Sequence, residues 1–236
     1  MASKLYPDAQ LEALRGFPAQ IAADDLARYF TLLPADTSFI NAHRGDGNRI
    51  GVAVALCTLA WLGFVPDDLR AAPAAAVSRV AAALGVPKTA LARYAARSQT
   101  RTEHLREVAA FLGWRTTTEV DAKELDQFLL ARAMEHDAPS VLFELACEHL
   151  RGAQLIRPGP VWLVQRVAAA REAAKAQTFV RLERLLTPQL IADLDGLLNI
   201  DDELGSTRLS WLGNGATQPS PGAIKTEIAK LAYLRR

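Results

Sequence analysis

The stretch from Asn48 to Leu62 constrains the fold more than any other part of the chain. Ile50, Val54, Cys57 and Trp61 recur at spacings of three and four, which is the stripe of an α-helix. The residues between them are largely apolar as well, so the helix is expected to be well buried. Gly63 and Pro66 stop it. Alanine and leucine dominate elsewhere, and the β-branched and aromatic runs that strands favour are scarce. The fold class expected is therefore all-α. Pro139, Pro160 and Pro221 each fall near the start of a helical stretch, where a missing amide is tolerated.

Helices are expected over 73–84, 87–97, 102–112, 121–135, 139–151, 160–175, 179–186, 188–198 and 221–235. A shorter one through DLARYFTL would be capped by Asp24 or Asp25 and ended by Pro34. Arg171 and Lys175 drift toward the apolar face of 160–175, so that helix is expected to bend or end early. Two stretches read as linkers: WRTTTEV at 114–120, with three consecutive threonines, and LGNGATQPSPG at 212–222.

The 236 residues suit one large domain or two small ones. No run of about 18 apolar residues occurs, and the N-terminus, interrupted by Pro7 and charged at Asp8 and Glu12, reads neither as a signal peptide nor as a membrane span. Cys57 and Cys147 lie in mid-helical apolar stretches, as core thiols in a reducing cytoplasm would. There is no phosphate loop, nucleophile elbow or zinc signature, and His43, His104, His136 and His149 lack metal-ligand spacing. No complete catalytic site and no cofactor are expected in this chain.

Net charge is only +1, from 27 basic and 26 acidic residues, but the charges come in blocks. Two basic islands, 88–115 and 151–184, flank an acidic stretch at 116–150. The blocks suit two contact surfaces, although long helical proteins also show such alternation by chance.

The segment VSRVAAALGVPKTALARYAAR, 77–97, fits a helix-turn-helix position by position. Ala81 is the small residue at the crossing and Gly85 the left-handed turn. Val80, Leu84, Val86, Leu91 and Tyr94 fill the wedge. With Leu91 and Tyr94 inward, a helix from Lys88 turns Thr89, Ala92, Arg93 and Ala96 outward and leaves Arg97 on its flank. Such a face could meet a major groove; an ordinary helical hairpin shares part of the pattern. In 160–175, Trp162, Gln165 and Arg166 turn outward, suiting a groove, a partner helix or plain solvent. The turn Arg44-Gly45-Asp46-Gly47 sets Arg44, Asn48 and Arg49 near a helix N-terminus, either for phosphate or as an internal Arg–Asp turn.

Five segments together resemble a known family. LARYFTLLPAD, HRGDGNRIGVAVALCTLAWLG, LARYAARSQTRTEHLREVAAFLGW, LACEHLRGAQLIRPGPVWLVQRV and STRLSWLGNGATQPSPGAIKTEIAKLAYLR follow, in order, the N-terminal DNA-binding region of Tn-three-type (TnpA) bacterial transposases. The resemblance implies tandem helical modules that bind double-stranded DNA at transposon terminal inverted repeats, in the bacterial cytoplasm at the nucleoid. It also implies a magnesium-dependent catalytic domain absent from this chain, and self-association through the full-length transposase. Carried over residue by residue, it points to Arg44, Asn48 and Arg49, then Arg93, Arg97 and Arg101, then Arg157 and Arg166. The organisation expected is a first module, 1–116, with the helix-turn-helix; a second, 117–205; and a linker opening the next domain, 206–236. The rival expectation is a helical protein–protein interaction or dimerisation module without direct DNA contact.

Overall fold

The structure is a computed structural model that describes residues 7–94, 98–202, 204–215 and 220–235. The fold is all-α: the described residues form helices joined by short segments, with four strands of two residues each. The chain divides into two compact units, Met1–Gln177 and Thr178–Arg236. No helix among the described residues is long and apolar enough to cross a membrane.

In the first unit, α1 (Asp8–Ala13), α2 (Ala23–Tyr29) and α3 (Pro34–Asn41) lead into α4 (Asp46–Leu62). Every residue of α4 from Ile50 to Leu59 is buried, and Trp61 with them. It is the axis of a core that also takes in Phe30, Ile40, Val80, Leu91, Val108 and Trp114. Phe30 meets Trp61 edge to face at 5.6 Å, and the Trp61 indole N–H donates to Asp25 at 3.2 Å. Asp25 and Asp24 therefore stand in the first turn of α2, whose N-cap is Ala22, rather than capping it. Pro34 opens α3 instead of closing the helix before it, since at the first helical position its missing amide is an orphan anyway.

Next come a 3₁₀ helix at Leu69–Ala71, α5 (Ala74–Leu84), a second 3₁₀ helix at Lys88–Arg93, and α6 (Ser98–Leu112). Gly85 ends α5 with φ +65°, its N–H bonded to the Ala82 carbonyl and that of Val86 to the Ala81 carbonyl. This is the paired closure that a left-handed residue permits and that glycine adopts without strain.

WRTTTEV is not a linker. Trp114 is buried, β1 (Arg115–Thr116) pairs in parallel with β2 (Leu155–Ile156), and Thr118 caps α7 (Glu119–Ala133). The threonines that read as poor helix formers serve as strand and cap. Asp121 closes this capping box and binds Arg115 through both oxygens at 2.6 Å. The Arg115 guanidinium, then the Thr118 hydroxyl and amide, hold the Asp121 carboxyl well below the usual carboxylate range. A carboxyl depressed on folding adds stability that is fully present above its unfolded value, about pH 4, and is lost as pH falls toward the folded one. An Asp121→Asn variant is thus expected to be less stable than the parent at neutral pH, with the gap closing in acid; urea melts between pH 7 and pH 2 check this, and a gap independent of pH overturns it.

Helices α8 (Pro139–Gly152) and α9 (Pro160–Glu183) pack with α7 around a second core of Leu125, Leu129, Leu142, Leu150, Leu163 and Val167. The α9 helix runs for 24 residues without ending early. Arg171 reaches Asp137 at 2.8 Å rather than entering the core, and Lys175 lies exposed just past Ala174, the last buried residue of α9.

The second unit holds α10 (Pro188–Gly196), a hairpin of β3 (Ile200–Asp201) and β4 (Ser206–Thr207), α11 (Arg208–Gly213) and α12 (Pro221–Leu234). Of the stretch read as a linker at 212–222, residues 216–219 lie outside the described residues.

Candidate nucleic-acid interface

The second arm of the expected helix-turn-helix departs from the sequence reading. It is a 3₁₀ helix of six residues, Lys88–Arg93, after which Tyr94 turns extended at ψ 135°. Residues Ala96 and Arg97 lie outside the described residues. Pro87 fixes the start of the element, and Leu91 and Tyr94 must both lean on α4. Residues three apart eclipse in a 3₁₀ helix, which aligns that pair better than an α-helix would, despite the helix propensity of LARYAAR. The facing is nevertheless the expected one: Ala90 and Leu91 are buried, Tyr94 is half-buried, and Lys88, Thr89, Ala92 and Arg93 are exposed.

The N-terminal turn of α4 packs against this helix. A Cβ added at Gly47 would stand 3.2 Å from the Ala90 carbonyl oxygen and 3.3 Å from the Arg93 Cβ. Arg44 is exposed just ahead of that turn, and its carbonyl accepts from the Asn48 side-chain amide at 3.1 Å. The structure thus joins two segments that the sequence treats separately, Arg44–Asn48 and Lys88–Arg93. Among the described residues no carboxylate pairs with Arg44, Lys88 or Arg93; Asp46, exposed between them, lies 3.7 Å from Arg49.

Arg49 is committed inside this face. It donates to Asn41 Oδ1 at 2.6 and 3.1 Å and to the Leu84 carbonyl at 3.5 Å. It ties the start of α4 to the end of α5 instead of pointing at a ligand. Arg101 is likewise engaged, donating to the Pro66 carbonyl at 3.1 Å and pairing with Asp67 at 3.3 Å.

The other expected contacts lie on the second core. Arg166 stacks its guanidinium 4.0 Å from the centre of the half-buried Trp162 ring and binds Asp126 at 2.5 Å. Its charge is balanced there, while Gln165 remains exposed. These residues edge a shallow groove of about 390 Å³ between α7 and α9. Arg157 is half-buried and engaged within the protein. Its guanidinium stacks 3.7 Å from the centre of the Phe64 ring and donates to the Leu14 carbonyl at 2.5 Å. Burial pulls its pKa below the ordinary arginine value, while Cys147 alongside acts in the opposite direction.

One cluster escaped sequence reasoning. His43 bonds Glu107 at 2.9 Å and meets the His104 ring at right angles at 4.9 Å; His104 in turn stacks on Tyr94. Burial lowers the His104 pKa. The cluster backs the 3₁₀ helix through Tyr94, and partners 64 residues apart leave no local signal. Cys57 is free and buried, its thiol pushed up to about 12 mainly by burial.

Residues 5–170 match a family described as a domain of unknown function, DUF4158. The chain belongs to that family. DUF4158 therefore covers both cores of the first unit and every residue of the candidate interface. The chain is also similar to bacterial transposases. It is 31% identical over 225 residues to the transposase for transposon Tn21 of Escherichia coli, covering 94% of this chain and 22% of the relative. It is 34% identical over 199 residues to the transposase for Tn2501 of Escherichia coli, covering 84% and 19%. The match to the transposase for Tn1546 of Enterococcus faecium is 27% over 220 residues, covering 92% and 22%. The chain thus spans about a fifth of the length of these curated relatives.

Proposed function

We propose that this DUF4158 chain binds double-stranded DNA sequence-specifically, at the terminal inverted repeats of a transposon, as the DNA-recognition portion of a replicative transposase. The observation that carries the reading is the packing of two cationic segments with no carboxylate partner among the described residues for Arg44, Lys88 or Arg93: Arg44 and Asn48 at the start of α4, against the 3₁₀ helix that carries the exposed Lys88, Thr89 and Arg93. Arg93 and Thr89 meet base edges, Arg44 and Lys88 neutralise phosphates, and Arg49 and Arg101 hold the face together. Trp162, Gln165 and Arg166 form a second, weaker contact on α9. In this reading binding needs no cofactor in this chain, and magnesium-dependent chemistry is the work of a separate catalytic domain, as the family resemblance implies.

The rival reading, an interaction module, requires Thr89, Arg93 and Arg97 to be packed against protein or paired with acids; Thr89 and Arg93 are exposed, and Arg97 lies outside the described residues. It keeps support in one place. In the second unit Phe179, Leu185, Ile224, Ile228 and Leu231 are all exposed, which suits self-association of a longer transposase.

A fluorescence-anisotropy titration of the chain against a duplex carrying its own element's terminal repeat, beside a scrambled duplex and across salt, tests the proposal. The repeat should bind roughly 10³-fold tighter, with affinity falling steeply as salt rises. Equal and negligible binding to both duplexes overturns it in favour of the interaction module.

A further inference from the structure

The first unit contains two cores, and little apolar packing crosses between them. Ile156 of β2 packs on the first core, and in the other direction Leu11 of α1 and Leu14 just after it pack with the second. Two cavities open along the seam, of about 430 and 480 Å³, and Phe64 and Arg157 line both. Polar contacts close the gap. Arg151 donates to the Trp61 carbonyl at 2.9 Å, and the Arg157 backbone N–H donates to the Gly63 carbonyl at 2.7 Å. Both acceptors lie at the C-terminal end of α4, where helix carbonyls lack intrahelical donors and the dipole favours a cation. The Arg157 side chain adds its stack on Phe64, just past the end of α4, while its bond to the Leu14 carbonyl anchors it to the N-terminal segment that packs with the second core.

We infer that Arg151 and Arg157 form a clasp that locks the second core onto the C-terminal end of α4, so that the two candidate DNA faces of the first unit are held at one fixed spacing rather than on a tether. Arg157 is then a positioning residue, not a phosphate contact. The α4 helix is the ruler: its 17 residues span roughly 25 Å, with the Arg44–Arg93 face at one end and the clasp at the other. The spacing consequence rests on the DNA-binding reading above; the clasp itself does not.

The test uses the full chain, the variant Arg151→Ala/Arg157→Ala, and the milder Arg157→Lys, which keeps the charge and loses the planar stack. Without DNA, hydrogen exchange at the α4 C-terminus and at β1–β2 should rise at least roughly tenfold in the double variant, with a smaller rise in Arg157→Lys, while exchange in the middle of α4 stays protected. Unchanged exchange at the seam in both variants overturns the clasp. A double variant that fails to fold leaves Arg157→Lys to decide, since it need only raise seam exchange above the parent's.

With DNA, inserting about half a helical turn, roughly 5 base pairs, between the halves of the repeat should weaken parental binding by roughly tenfold or more. A variant with a broken clasp should bind the natural spacing more weakly but lose little further on insertion, whereas a merely structural role would weaken both duplexes alike. A parent indifferent to the insertion removes the second DNA face, and the clasp is then judged on exchange alone.

Discussion

Gly51→Ala is expected to destabilise the protein by about 1–2 kcal/mol, against the direction that helix propensity alone dictates. Replacing glycine with alanine inside an unobstructed helix gains about 1 kcal/mol. At this site the new Cβ would stand 2.0 Å from Tyr94 Cδ2 and 2.2 Å from Tyr94 Cγ. Cγ is the root of the ring, so a change of rotamer at the ring's far end gives no relief. The ring is also held from behind, stacked on His104 at 5.8 Å. Overpacking of this kind typically costs 1–3 kcal/mol and outweighs the propensity gain. The measurement is the urea midpoint at unchanged slope. Repeating the substitution in a Tyr94→Ala background isolates the clash: there Gly51→Ala should become neutral or stabilising. A midpoint that rises in the parental background would sink the close packing of Tyr94 on α4. Because Tyr94 closes the 3₁₀ helix that carries Arg93, Gly51→Ala should also weaken DNA binding.

The second large effect concerns Arg93. Exposed beside the α4 N-terminus, and paired with no carboxylate among the described residues, it can offer both edges of its guanidinium to a guanine. Arg93→Ala is expected to reduce discrimination between the terminal repeat and scrambled DNA by roughly 1–3 kcal/mol. Arg44→Ala should instead weaken binding to all duplexes alike and reduce the salt slope by about 1. Arg101→Ala offers a third pattern, acting through stability, because its guanidinium holds the Pro66 carbonyl and Asp67. If Arg93→Ala weakens binding uniformly, Arg93 becomes a phosphate contact; if it changes nothing, the face does not read DNA.

The family resemblance was legible over nearly the whole chain, and the relatives agree with it. Roles of individual arginines were not. Arg44, Lys88 and Arg93 look no different in the sequence from Arg101, Arg157 and Arg166. What separates them is the position of Asp67, Asp126 and the Leu14 carbonyl, each brought in from a distant part of the chain. The register of 77–97 was readable because Leu91 and Tyr94 define an inward side. Its helix type was not, because packing against Gly51 overrides the local preference of an alanine-rich run.

The sequence alone determined the all-α class, the buried course of α4 and the helix starts at Pro139, Pro160 and Pro221, since periodicity, propensity and the missing proline amide act within a few residues of their cause. Only the tertiary structure decided that WRTTTEV joins two cores rather than tethering them, that the Arg157 guanidinium stacks on Phe64, and that the Gly47 turn packs against Arg93. Those outcomes depend on contacts between residues tens of positions apart, and no local rule of spacing or charge encodes which distant partner will arrive.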